Sequence, residues 1–178
     1  QVATPSRENV DEYQRIRDDV ELIVGHTNGE LGQIGAPAIH YVRNSLPLAE
    51  LVALYQAADI MLVTPLRDGM NLVCKEYVTA RVDGDGTLVL SEFTGAAREL
   101  PQAWLVNPYD ADGLKEAVVA AASATPEERQ RRMRAMRRHV QEHDVQRWAQ
   151  DFLGTLARTD HVHAAQFPDG TEPVETSE

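Results

Sequence analysis

Residues 58–78 read ADIMLVTPLRDGMNLVCKEYV. The first part, ADIMLVTP, is a near-continuous apolar run, the pattern of a strand buried on both faces of a parallel sheet. LRDGM interrupts it with Asp68-Gly69, a turn pair. Helical spacing then resumes over residues 71–81. Strand, tight turn and helix in succession form half of a βαβ unit. In open parallel sheets, ligands bind outside the carboxyl ends of the strands, beside helix N-termini. That rule points at residues 64–71.

The rest of the chain repeats the alternation. Val10, Tyr13, Ile16, Val20 and Ile23 recur at helical spacing, with Ser6 placed to cap. Residues 25–35 are polar and Gly-rich and read as a loop, and AIHYV (38–42) reads as a short strand. Pro47 opens a helix bearing Leu48, Leu51, Val52 and Tyr55. VDGDG (82–86) is a loop and TLVLS (87–91) a strand. A short helix follows near Gly95–Glu99, then the strand AWLVNP (103–108). Asp110 caps a helix to about Ala122. Thr125-Pro126-Glu127-Glu128 is a capping box with Pro at the first helical position. Asp144 caps a last helix with Val145, Trp148, Phe152 and Leu156 on one stripe. Short apolar strands alternating with helices predict an α/β fold, a parallel sheet with helices on both faces, ending in helices. The expected division is a domain over 1–143, a C-terminal helix over 144–158, and a disordered tail over 159–178, where the sequence becomes polar and rich in Pro and acids.

Composition narrows the function. Of 178 residues, 43% are apolar and 25% charged, as in ordinary globular proteins. With 17 basic and 28 acidic residues the formal net charge is −11, which argues against nucleic acid or an anionic membrane as the main partner. A small anionic ligand remains compatible, because a helix N-terminus can bind one. One cysteine, Cys74, allows no intramolecular disulfide. The chain opens without Met and in mid-pattern, QVATPSRE resembling the end of a core strand followed by a cap. Further residues are therefore expected upstream of Gln1.

The segment RDGMNLVCKEY (67–77) has the groups for a nucleotide-like ligand. Gly69 permits a sharp turn or a close approach of backbone to ligand. Free N–H groups of the first helical turn, near Met70–Val73, suit a diphosphate. Glu76 follows Leu72 by one turn, and its carboxylate can match the paired hydroxyls of a ribose. Asp68 can accept from sugar hydroxyls. The same residues also suit a plain turn and a solvated helix, since strand–turn–helix is the standard unit of any α/β fold.

Several segments, in order, carry a more specific signal: TPSRE (4–8), NGELGQIG (28–35), residues 58–78, LVLSEFTGAAREL (88–100) and LVNPYD (105–110). Together they resemble the trehalose-6-phosphate synthase family, from the first residue to about Leu156. The resemblance implies the C-terminal, donor-binding, Rossmann-like domain of a two-domain GT-B glycosyltransferase of family 20. Such an enzyme moves glucose from a nucleoside diphosphate glucose (UDP- or ADP-glucose) to glucose 6-phosphate, with retention and without a metal or other cofactor. By position, Asp68 would bind the donor glucose, and Gly69, Met70 and Asn71 would meet sugar and phosphates through their backbone. Leu72, Val73, Cys74, Lys75 and Glu76 would line the nucleoside side, with Glu76 on the ribose. Leu46 falls near a base-contacting position, and Arg7 would bind the phosphate of glucose 6-phosphate. The family further implies front-face attack with the leaving phosphate taking the acceptor's proton, a cytoplasmic location, and a homo-oligomer, a tetramer, at full length. An Arg–Lys pair and the acceptor pocket would lie upstream of Gln1, so the chain alone is expected to be inactive. A non-catalytic, regulatory or nucleotide-binding relative with the same fold is the competing reading.

Other patterns read as structure. His139-x-x-Glu142-His143 matches a zinc-protease spacing but lacks a third ligand. The arginines from Arg129 to Arg138 form a solvated face balanced by acids. Gly84-Asp85-Gly86 is a turn rather than a dinucleotide fingerprint, and Cys74 a packing residue. Trp148 and Phe152 belong to the core or to a seam against a missing domain.

Overall fold

The computed structural model describes residues 1–3 and 11–166, the last ten as backbone only. Its chain forms two compact units, Gln1–Leu54 and Tyr55–Glu178. None of the described helices is long and apolar enough to cross a membrane.

In the first unit, α1 runs Asp11–Leu31. The loop expected from Gly25 therefore begins only after Leu31. Gly25 and Gly29 each cost about 1 kcal/mol relative to Ala, too little to end a long cooperative helix. The chain turns at Gly32, where a Cβ would collide with the Asn28 carbonyl. Gly35 follows in the left-handed region at φ 79°. The Asn28 side chain then secures the returning chain, donating to Ile39 O at 2.9 Å and accepting from Ile39 N at 2.7 Å. Tyr13, Ile16 and Ile23 are exposed, and α1 buries none of its residues fully. Of the expected strand at 38–42, one parallel bridge between Val42 and Val2 forms. Two backbone bonds make it, Ala3 N to Val42 O at 2.8 Å and Val42 N to Gln1 O at 2.9 Å. Ser6, Arg7 and Val10 lie outside the described residues.

Helix α2, Leu48–Ala57, starts after Pro47 and carries Tyr55 of the second unit in its last turn. That unit is built on a parallel sheet ordered β1 (Ile60–Val63), β2 (Thr87–Ser91), β3 (Trp104–Val106). The connections are α3 (Leu72–Ala80) and the short α4 (Ala96–Glu99), followed by α5 (Ala111–Ser123), α6 (Pro126–Glu142) and α7 (Val145–Gln166).

The strand buried on both faces is β2, all five of whose residues are buried, rather than β1. As the edge strand, β1 leaves Leu62 46% exposed. An edge strand has a neighbour on one side only, so its apolar run does not guarantee cover. Alternation sends Val89 to one face of the sheet, where it meets Val106, Ala121 and the apolar stripe of α5. Leu88 and Leu90 point to the other. Helices α3 and α6 contact β2 and each other there, with Tyr77, Val78, Met133 and Met136 fully buried.

The arginines of α6 divide by face, which refines their reading as a solvated run. Arg129 forms a two-bond pair with Asp85 at 2.7 and 3.0 Å. Arg132 lies 4.3 Å from the Trp104 ring centroid and donates to Gln102 O. Arg137 donates to Val78 O and Thr79 O at the end of α3. Arg131, Arg134 and Arg138 are exposed. Thr125 caps α6 by accepting from Glu128 N at 3.3 Å, while the Glu128 carboxylate turns to Arg132 at 2.7 Å.

Helix α7 starts at the Asp144 cap and continues to Gln166, so residues 159–166 are helical where a tail was expected. The segment DHVHAAQ contains no Gly or Pro, and the first helix-breaking residue is Pro168. The remainder of the expected tail, 167–178, lies outside the described residues. Trp148 and Phe152 stack at 5.4 Å yet stay exposed, with Val145, Leu153 and Leu156 beside them. They are not core.

Candidate ligand site at the carboxyl end of the sheet

Two loops leave the carboxyl ends of β1 and β2 and lie side by side. Asp68 and Thr94 form a parallel bridge. Asp68 N donates to Phe93 O, Gly95 N to Asp68 O and Ala96 N to Met70 O, each at 3.1 Å. The approach is close enough that a Cβ on Gly95 would strike the Gly69 carbonyl oxygen and lie 3.0 Å from its carbon. Gly95 itself has ordinary helical angles, φ −59° and ψ −35°. Glycine is needed there for space, not for conformational freedom.

The first loop is organised by Asp68. Its Oδ1 accepts from Met70 N at 3.1 Å and its Oδ2 from Asn71 Nδ2 at 3.0 Å. These bonds, first that from Met70 and then that from Asn71, lower the Asp68 pKa below the usual carboxylate range. An ionised carboxylate thus stands at the loop with lone pairs to spare. Asn71 caps α3 by accepting from Cys74 N at 3.0 Å. It does so at φ 66°, the one non-Gly residue with positive φ among the described residues. The strained position of the turn is therefore Asn71. Gly69 has no atom within 4 Å of a built Cβ and no positive φ, so only the approach of a ligand would require a glycine there.

A helix leaves its first N–H groups without intrahelical acceptors. In α3 the Asn71 side chain takes that of Cys74, and Asp68 takes that of Met70. The N–H groups of Leu72 and Val73 are left at the helix end, among exposed Met70, Leu72 and Val73 side chains. This anion site is narrower than the four residues expected.

The other expected site residues sort by depth. Cys74 is fully buried, its thiol donates to Asn71 O at 3.1 Å, and burial pushes its pKa up to about 11. With its backbone N–H taken by Asn71 Oδ1, Cys74 offers a ligand neither side chain nor backbone donor. Lys75 donates to Glu99 Oε2 at 2.7 Å, and His139 Nε2 stands 3.7 Å from the same oxygen. Glu76 is exposed one turn along α3, and its Oε2 accepts from Tyr55 at 3.0 Å. Leu46 is half-buried in the first unit, and Arg7 lies outside the described residues. His139 and His143 stack with ring centroids 4.1 Å apart. Among the described residues no group of three or more His, Cys, Asp or Glu is placed to hold a metal ion.

Three contributors were not singled out in the sequence: Tyr55, which read only as one of an apolar stripe, Thr94, and Gly95, which read as the start of a short helix.

This parallel α/β domain presents an ionised carboxylate, a helix N-terminus and a second carboxylate along one strand–turn–helix, a geometry able to receive an anionic ligand at the carboxyl edge of the sheet. The model of glycosyltransferase family 20 matches residues 1–158, and the chain belongs to that family. It is 60% identical over 159 residues to the trehalose-6-phosphate synthase of Mycobacterium avium, covering 89% of this chain and 32% of that protein. The chain thus spans about a third of such curated relatives. Among solved structures, a UDP-forming α,α-trehalose-phosphate synthase from Burkholderia xenovorans in complex with glucose-6-phosphate superposes with TM-score 0.82 at 42% identity, covering 86% of this chain and 34% of that one. An E. coli structure described as trehalose-6-phosphate bound with UDP-2-fluoro glucose gives TM-score 0.83 at 41% identity, covering 88% and 35%. These neighbours are GT-B trehalose-phosphate synthases, and the parallel sheet described above shares their fold.

Proposed function

We propose that residues 68–76 form the donor half-site of a hexosyltransferase that moves glucose from UDP- or ADP-glucose to glucose 6-phosphate, giving trehalose 6-phosphate with retention. The observation that carries this reading is the ionised Asp68 beside the open N–H groups of Leu72 and Val73, with Glu76 one turn further on. In this reading Asp68 accepts from a hydroxyl of the donor glucose. The backbone of Gly69, Met70 and Asn71 meets the sugar and phosphates. The helix end stabilises the negative charge that grows on the diphosphate as the glycosidic bond breaks. Leu72 to Glu76 line the nucleoside side, Glu76 accepting from the ribose, with the buried Cys74 packing beneath them. Leu46 meets the base, and Arg7 binds the phosphate of glucose 6-phosphate. The leaving phosphate takes the acceptor's proton on the front face, so no protein nucleophile or metal is needed.

The rest of the cleft comes from residues outside this chain. The exposed stripe of α7 faces that missing domain, and the complete enzyme is a cytoplasmic tetramer. Alone, the 178-residue chain binds nucleotide weakly and turns nothing over, because catalysis requires both substrates held in register. Calorimetric titration with UDP and ADP, beside an assay of nucleotide release from UDP- or ADP-glucose plus glucose 6-phosphate, tests this. Turnover by the isolated chain would overturn the half-site reading. Loss of neither activity nor affinity in Asp68→Ala, in the complete protein, would sink the assignment of Asp68.

A further inference from the structure

Tyr55 lies in the last turn of α2, and its hydroxyl donates to Glu76 Oε2 on α3 at 3.0 Å. The two ends of this bond sit in opposite environments. Tyr55 is 7% exposed, while Glu76 is exposed. The tyrosine ring is held edge-on against Tyr77, with centroids 6.3 Å apart and planes at 79°. Tyr77 is fully buried, and its hydroxyl donates to Ala58 O at 3.1 Å, just ahead of β1. A hydroxyl fixed by the core thus reaches out to a side chain that would otherwise be mobile.

An exposed glutamate on a helix samples several rotamers, and a ligand that needs one of them must bear the entropy of freezing it. The Tyr55 bond selects a rotamer beforehand. It uses one lone pair of one oxygen, whereas a carboxylate accepts at roughly four positions. Oε1 and the rest of Oε2 stay available for two neighbouring hydroxyls. Burial, and then the bond to Glu76, push the Tyr55 phenol up to about 12, so at neutral pH it keeps its proton and remains a donor.

We propose that Tyr55 is a positioning residue that orients the Glu76 carboxylate toward the vicinal 2′ and 3′ hydroxyls of the donor nucleotide's ribose. This rests on the nucleotide-sugar reading of the site and adds to it a residue from the preceding helix. Tyr55 touches no ligand and acts only through Glu76. Its effect therefore depends on the ribose hydroxyls and on the carboxylate.

The test is calorimetric titration of UDP and ADP, and of their 2′,3′-dideoxy counterparts, into the unsubstituted chain, Tyr55→Phe, Glu76→Ala and the double variant. Phe keeps the ring in the core, and water replaces the lost donor at the exposed carboxylate. Tyr55→Phe is therefore expected to melt close to the unsubstituted chain. It is expected to bind the ribonucleotide roughly three- to tenfold more weakly, the scale of one hydrogen bond or one ordered side chain. The dideoxynucleotide is expected to bind both equally, and Tyr55→Phe to have no further effect once Glu76 is Ala. An equal loss for ribo- and dideoxynucleotide, or an undiminished loss in the Glu76→Ala background, overturns the proposal by making Tyr55 a purely structural residue. Unchanged ribonucleotide affinity in Tyr55→Phe overturns it too. Unchanged affinity in Glu76→Ala sinks the ribose assignment itself, and no binding of either nucleotide by the unsubstituted chain sinks the nucleotide-sugar reading.

Discussion

The contact between the two ligand-site loops makes Gly95→Ala a sharp test of how the site is built. An alanine Cβ there would strike the Gly69 carbonyl oxygen and lie 3.0 Å from Gly69 C and 3.5 Å from Met70 Cα. All three are backbone atoms, so no rotamer change relieves the overlap. The loops must part by about 1 Å to restore van der Waals separation. Three backbone bonds cross this seam at 3.1 Å: Asp68 N to Phe93 O, Gly95 N to Asp68 O and Ala96 N to Met70 O. At about 4 Å they no longer count as hydrogen bonds. Each contributes about 1 kcal/mol net, so roughly 3 kcal/mol is lost. Against this, alanine at helical angles stabilises by about 0.4–1 kcal/mol through the unfolded chain. The net expectation is destabilisation by about 2 kcal/mol. Urea unfolding followed by circular dichroism reads this as a midpoint lower by about 1 M. Gly69→Ala is the control, because a Cβ there meets nothing. It is expected within about 0.5 kcal/mol of the unsubstituted chain, while weakening any ligand that approaches the Gly69 backbone. A Gly95→Ala midpoint equal to or above the original would refute the claim that the two loops are locked at this seam.

Asn71 combines a cap with a left-handed backbone, φ 66°. Asn71→Ala should lose about 1–2 kcal/mol, chiefly the cap, with a smaller cost because alanine tolerates positive φ less well than asparagine, and Asn71→Gly should lose less. Equal unfolding midpoints for the two variants would show that the backbone angle does not matter. The Asp85–Arg129 pair predicts an acid limb of stability. The Arg129 guanidinium, chiefly through its hydrogen bonds, holds the Asp85 pKa at about 2, below the ordinary 3.8. A depressed carboxyl pKa contributes stability that is fully present above about pH 4 and is lost as pH falls through about 2. The gap in urea midpoint between the unsubstituted chain and Arg129→Gln should therefore narrow from pH 5 toward pH 2, and a gap that stays constant would contradict the assignment.

The composition of the local sequence was enough for most of the architecture. Asn71, Asp110, Thr125 and Asp144 cap the helices they precede, because a short polar side chain answers the free N–H groups of the next turn whatever surrounds it. The β strands and helices of the second unit fall where apolar runs and 3.6-residue spacing place them. Where local rules compete with cooperativity, the reading failed: Gly25 and Gly29 did not interrupt α1, and the polar start of the expected tail did not end α7 before Gln166.

The chemistry of residues 68–76 was likewise written in the chain, since Asp68, Asn71 and the first turn of α3 interact across only a few positions. Which strand is central was not. ADIMLVTP is more apolar than an edge strand requires, and only the pairing of β1, β2 and β3 shows that Thr87–Ser91 takes the buried place. The Gly95–Gly69 contact and the Tyr55–Glu76 bond join residues 26 and 21 positions apart. Sequence determined the groups that a ligand can meet and their order along the loop and helix. The tertiary structure decided their orientation, because the distance between two loops and the rotamer of an exposed carboxylate depend on atoms that the local chain does not supply.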